Sequence, residues 1–128
     1  MFFTKTLIII CLWGFFVSGT PNTGVFHEEC SDFIYPAGSP YEDGILYVLG
    51  EARKNTPTSS SYEYSVATPP PFGANGFGRC APPLTSDDCS TCMTAAWVEI
   101  AIRCGGHSSG KVLLVDCAIG YTSKAAID

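Results

Sequence analysis

The sequence predicts an α+β domain in which two helices pack on one face of a sheet, and three observations point there. Two segments carry helix-start signals followed by apolar residues at helical spacing; strand-like stretches alternate with them; and six cysteines follow an apolar leader.

The leader comes first. Lys5 precedes the apolar run Leu7 to Val17, which is followed by the small residues Ser18 and Gly19. That pattern predicts a signal peptide over residues 1–19, because the run is shorter than the ~20 apolar residues of a membrane span. Residues 20–128 then make the mature, extracellular chain of about 108 residues, enough for one domain but small enough to benefit from covalent staples. Cys11 leaves with the leader, and Cys30, Cys80, Cys89, Cys92, Cys104 and Cys117 remain. An even count in a secreted chain predicts disulfides.

Charge narrows the partners. Once Lys5 is removed, six basic residues face twelve acidic ones, a formal charge of −6. The basic residues are scattered between Arg53 and Lys124, so neither a nucleic-acid backbone nor an anionic membrane meets a cationic patch. The chain is expected to act without entering a membrane, as a monomer. Asn22-Thr23-Gly24 and Asn55-Thr56-Pro57 are not glycosylation sequons.

Thr23 to Cys30 reads as a short strand with Val25 and Phe26 as its apolar members. In Ser39-Pro40-Tyr41-Glu42, serine suits the cap, proline the first helical position, and Glu42 can reach back to the cap N–H. Tyr41, Ile45, Val48, Leu49 and Ala52 then make one apolar stripe, which Asn55-Thr56-Pro57 ends. Tyr62 to Val66 alternates as a half-buried strand does.

Three prolines and three glycines make Thr68 to Gly78 a loop. The second helix starts at Thr85-Ser86-Asp87-Asp88 and runs to about Arg103, stopped by Gly105-Gly106. Cys89, Cys92, Met93, Ala96, Trp97 and Ile100 share its buried face, with Val98 and Ile102 adding apolar surface on another. Lys111 to Cys117 is apolar on both faces, as a central strand is, and Ala118 to Thr122 continues it or pairs beside it.

Cys89 and Cys92 stand three apart in a helix, with Cβ atoms ~5 to 6 Å apart against the ~3.8 Å of a disulfide, so they seek different partners, one of them Cys117. A redox Cys-x-x-Cys or a zinc site fits the spacing superficially. Asp87 and Asp88 would raise the first thiol's pKa, and a secreted compartment favours disulfides over bound zinc.

The spacing Cys80-x8-Cys89-x2-Cys92, with Gly38-Ser39-Pro40, Tyr62-Glu63-Tyr64, Ser86-Asp87-Asp88-Cys89 and Leu114-Val115-Asp116-Cys117, resembles the ginkbilobin-like antifungal family of plant extracellular proteins over nearly the whole mature chain. The resemblance implies a five-stranded antiparallel sheet with two helices, and disulfides Cys30 with Cys104, Cys80 with Cys89, and Cys92 with Cys117. It also implies a mannose site at three positions: the residue after the first cysteine, the seventh after the fifth, and the fifth after the last. Here those are Ser31, Lys111 and Thr122, where the family's type member carries Asn, Arg and Glu.

All three differ, and the chemistry changes with them. Ser31 lacks the paired donor and acceptor of an amide, Lys111 keeps the charge without the planar fork, and Thr122 removes the carboxylate. Weaker or altered sugar recognition follows. In the competing structural reading Ser31 is a turn hydroxyl, Lys111 a solvated strand end and Thr122 an edge-strand residue.

The leading functional expectation is a secreted, mannose-type lectin that restrains fungi by attaching to mannose-bearing surface glycans, with no cofactor. A rigid proline loop at Thr68 to Gly78 suggests a protease inhibitor instead. The likeness to the extracellular part of plant cysteine-rich receptor kinases suggests a soluble apoplastic signalling partner. Nothing resembles the constellation of an enzyme: His27 and His107 lie outside any nucleophile motif and read as surface residues. Trp97 reads as core, and Tyr121 as the better exposed aromatic.

Overall fold

In a computed structural model, residues 21–123 are described. The expected signal peptide lies outside them. In chain order the elements are β1 (Val25–Cys30), α1 (Pro40–Asn55) with a 3-10 turn at Thr56–Thr58, β2 (Glu63–Ala67), β3 (Ala74–Cys80), α2 (Ser86–Cys104), β4 (Gly110–Leu114) and β5 (Cys117–Ser123). The five strands form one antiparallel sheet in the order β1-β4-β5-β3-β2. The α+β architecture, with both helices on one sheet face, is the predicted one.

α1 forms where the cap and the stripe place it. Pro40 opens it, and Ile45, Val48, Leu49 and Ala52 are buried against the sheet. The cap differs in detail from the expectation. Glu42 reaches back one residue further, accepting from the Gly38 N–H at 2.8 Å, because the Ser39 N–H donates to the Pro36 carbonyl at 3.2 Å. The buried Ser39 hydroxyl has no hydrogen-bond partner among the described residues.

α2 keeps its predicted start, the Thr85 hydroxyl accepting from the Asp88 N–H at 3.1 Å. Cys89, Cys92, Met93, Ala96, Ile100 and Cys104 form its buried face. Trp97 is not core: it is 38 % exposed, and the Arg53 guanidinium lies 4.7 Å from its ring centroid. The helical period drifts it just off the buried stripe, to a place where an Arg can cover it. Val98 and Ile102 are exposed.

Each disulfide pins one strand to α2. Cys30 of β1 joins Cys104, Cys80 of β3 joins Cys89, and Cys117 of β5 joins Cys92, with Cα separations of 5.3, 5.8 and 6.1 Å. Cys89 and Cys92 thus take different partners, as helix geometry requires.

The expected loop from Thr68 to Gly78 is half strand. It ends at Gly73, and Ala74–Cys80 pairs with β2 on one side and β5 on the other. The glycines read as breakers are there for clearance. A Cβ on Gly76 would stand 2.7 Å from the Val48 Cβ, and one on Gly78 would stand 2.3 Å from the Thr56 hydroxyl oxygen. Small residues here let α1 approach the sheet closely.

The strand expected through Cys117 stops at Leu114. Val115-Asp116 turns the chain, and Cys117 opens β5, which is the central strand. The turn is held by the Asp116 carboxylate, which accepts from the Asn22 N–H at 2.6 Å.

Tyr121 is buried, at 5 % exposure, rather than exposed. Alternation along β5 puts it on the helix face, where its hydroxyl is shared between the Cys104 and His107 carbonyls at 2.9 and 2.7 Å. Tyr41, which donates to the Ser108 carbonyl, has a phenol pushed by burial up to about 12, and burial also raises that of Tyr121. A phenol whose folded-state pKa lies above its unfolded value of 10.0 stabilises the fold below pH 10 and ceases to as pH climbs through the folded pKa. The domain should therefore lose stability between about pH 10 and 12. Urea titrations at stepped pH should show this slope reduced in Tyr41→Phe; an unchanged slope would rule out the phenol as its source.

Candidate functional site

Alternation gives the sheet two unlike faces. Gly76, Gly78, Val112, Ile119 and Tyr121 point to the helices, and their neighbours point away. Pairing register then lines up the outward residues across all five strands. Glu29 stands opposite Lys111, Lys111 opposite Gly120, Gly120 opposite Phe77, and Phe77 opposite Ser65. One step along, Ala67 stands opposite Asn75 and Asn75 opposite Thr122.

These two rows floor a groove of about 710 Å³, a size within the range of small-molecule sites. Its lining includes Glu29, Ser31, Ser65, Asn75, Phe77, Lys111 and Thr122. The three residues predicted from sequence, far apart in the chain, thus meet on one surface. Phe77 lies across Gly120: a Cβ at Gly120 would stand 2.3 Å from the ring. The groove therefore has an aromatic floor at its middle.

The three positions differ in how available they are. The Ser31 hydroxyl is engaged with the protein itself: it accepts from the Ser109 N–H at 3.1 Å, lies 2.9 Å from the Ser108 hydroxyl and 3.3 Å from the Phe33 carbonyl. His107 secures the same bend, its Nδ1 sitting 2.6 Å from the Ser31 carbonyl, so this histidine is half-buried rather than a plain surface residue. Thr122 lies on the central strand, not at an edge, and among the described residues its hydroxyl makes only a 3.5 Å contact with the Ser123 carbonyl.

Lys111 projects beside Glu29, with 3.8 Å between ammonium and carboxylate. Glu29 also receives His27 at 3.0 Å. The His27 hydrogen bond, and then the Lys111 charge, hold the Glu29 carboxyl below the usual carboxylate range, so it is an anion in neutral and mildly acidic surroundings. What the groove offers is a carboxylate, an ammonium, an amide, hydroxyls and one aromatic surface. Each can hydrogen-bond or pack against a ligand. Among the described residues no cluster of His, Cys, Asp and Glu could hold a metal ion, and no helix is long and apolar enough to cross a membrane.

Residues 29–124 match the salt stress response/antifungal family. The chain belongs to this family. Relatives of this salt stress response/antifungal domain include antifungal protein ginkbilobin-2 of Ginkgo biloba, 29 % identical over 107 residues, which are 81 % of this chain and 79 % of that protein. An antifungal ginkbilobin-like protein 1 of Picea sitchensis is 27 % identical over 122 residues, 93 % of this chain and 91 % of that one. The fold is shared with the tandem DUF26 ectodomain of a cysteine-rich receptor-like protein from Arabidopsis thaliana, at a TM-score of 0.71 and 17 % identity. The match covers 80 % of this chain and 47 % of that one, so this domain spans about half of the tandem.

Glu29, Asn75, Ser65 and Phe77 escaped the sequence reading. Asn75 and Phe77 fell in the stretch taken for a loop. The signal for them is the alternation of small Ala74, Gly76, Gly78 and Cys80 with larger Asn75, Phe77 and Arg79, which is a strand with one closely packed face.

Proposed function

We propose that this chain is a secreted antifungal defence protein that binds mannose-type glycans of fungal surfaces through the groove on the open face of the sheet, and that it acts by binding rather than by catalysis. The observation that carries the reading is the convergence of Ser31, Lys111 and Thr122 on one groove. Membership of the salt stress response/antifungal family supports the defence role. The leader over residues 1–19, the three disulfides and the ectodomain relative support secretion of residues 20–128.

Affinity for a single mannose should be low. Ser31 is occupied by its own loop and Thr122 carries no charge, so two of the three inherited positions offer little. A lost charged hydrogen bond is worth ~1.5 to 3 kcal/mol, so the missing carboxylate at Thr122 alone should weaken a monosaccharide by roughly tenfold or more. An NMR titration of the mature domain with methyl α-mannoside should perturb amides of β3, β4 and β5 around the groove. Perturbation elsewhere, or none, would overturn the mannose reading.

A further inference from the structure

Resting on the reading of this groove as a sugar site, we infer that its ligand is a short neutral oligosaccharide laid across the strands, held at one end by Glu29 and Lys111, in the middle by Phe77, and at the other end by Asn75 and Ser65. The row from Glu29 to Ser65 crosses all five strands. Four interstrand steps of about 4.8 Å span roughly 19 Å, and the three steps from Glu29 to Asn75 span about 14 Å. A single pyranose cannot reach from Glu29 to Ser65. Two or three linked rings can.

The polar groups at the two ends are suited to hydroxyls. At the first, Glu29 accepts and Lys111 donates, and their charges offset each other at 3.8 Å. An anionic ligand meets Glu29 and a cationic one meets Lys111, so a neutral polyol is favoured. At the second, the half-buried Asn75 amide and the Ser65 hydroxyl line the groove without a side-chain hydrogen bond among the described residues. A half-buried amide that the fold leaves without a partner has donor and acceptor capacity for a ligand. Between them, the Phe77 ring above Gly120 supplies an apolar surface for the C–H face of a sugar ring.

In chemical terms an amide, a cation and a carboxylate are all present, on Asn75, Lys111 and Glu29. Ser31 then serves as a positioning residue that closes the bend after Cys30, and Thr122 as groove floor.

The test is a calorimetric series on the mature domain with methyl α-mannoside, mannobiose and mannotriose, run beside the corresponding laminari-oligosaccharides. Affinity should rise at least tenfold from monosaccharide to trisaccharide in one series. Asn75→Ala should abolish that gain, and Glu29→Gln should weaken the trisaccharide about tenfold, both with an unchanged thermal transition. Equal affinity for mono- and trisaccharide, or a gain indifferent to Asn75→Ala, would overturn the extended track and leave the mannose reading standing. A gain confined to the laminari series would overturn mannose and support the track, and no binding by any of the sugars would overturn both.

Discussion

Replacing Cys30 and Cys104 together by alanine is expected to lower the free energy of unfolding by about 4.5 kcal/mol, the largest effect of any single staple. The two cysteines are 74 residues apart, and in the chain-entropy account a longer loop leaves the unfolded chain more freedom when it is opened. The shorter separations of 25 and 9 residues, for Cys92–Cys117 and Cys80–Cys89, predict about 3.5 and 2.7 kcal/mol. Domains of this size have only about 5 to 15 kcal/mol in hand, so the double variant should lose roughly a third of its stability or more. Ser31 follows Cys30 directly, so the groove's rim should loosen with it. Urea denaturation of the three paired variants checks the order. A Cys30/Cys104 variant within 1 kcal/mol of the parent would contradict it.

Gly78→Val is expected to destabilise the domain by about 3 kcal/mol or more, through overpacking rather than lost contacts. The first added carbon already stands 2.3 Å from the Thr56 hydroxyl oxygen and 2.7 Å from the Met93 terminal methyl. Neither has room to yield: both residues are fully buried, and the Thr56 hydroxyl is bound to the Ala52 carbonyl at 2.6 Å. The matched control is Gly50→Ala in α1, where an added Cβ meets nothing within 4 Å. That change should stabilise by roughly 0.5 to 1 kcal/mol, because alanine restricts the unfolded chain and favours helix. Opposite signs for two glycine substitutions, measured by thermal or urea unfolding, are the expected result. Destabilisation by both would mean that clearance is not what distinguishes them.

The helices were legible because their signals are local. A proline at the first turn, a threonine cap with acids behind it, and apolar residues at three- and four-residue spacing are written in neighbouring positions. β3 was not, because its glycines answer to Val48, Thr56 and Met93, and nothing in the immediate neighbourhood of Gly76 or Gly78 announces those partners. Tyr121 and Trp97 were exchanged for a similar reason. Which face of β5 is covered, and where the sheet leaves α2 bare, depend on packing between elements that only the fold brings together. As for the groove, Ser31, Lys111 and Thr122 could be named only through resemblance to a family. Glu29 and Asn75 required the pairing register, which sets residues 46 positions apart into one cleft.

All three bridges and both helices lie on one side of the sheet. Side chains on the other side therefore carry little of the burden of folding, and their identities can be exchanged with small thermal penalty. That makes the domain a candidate chassis for engineering. Randomising Glu29, Ser65, Asn75, Lys111 and Thr122 would vary the recognition surface while the covalently tethered half keeps each library member folded, so selection for new specificities could proceed without a parallel search for stability.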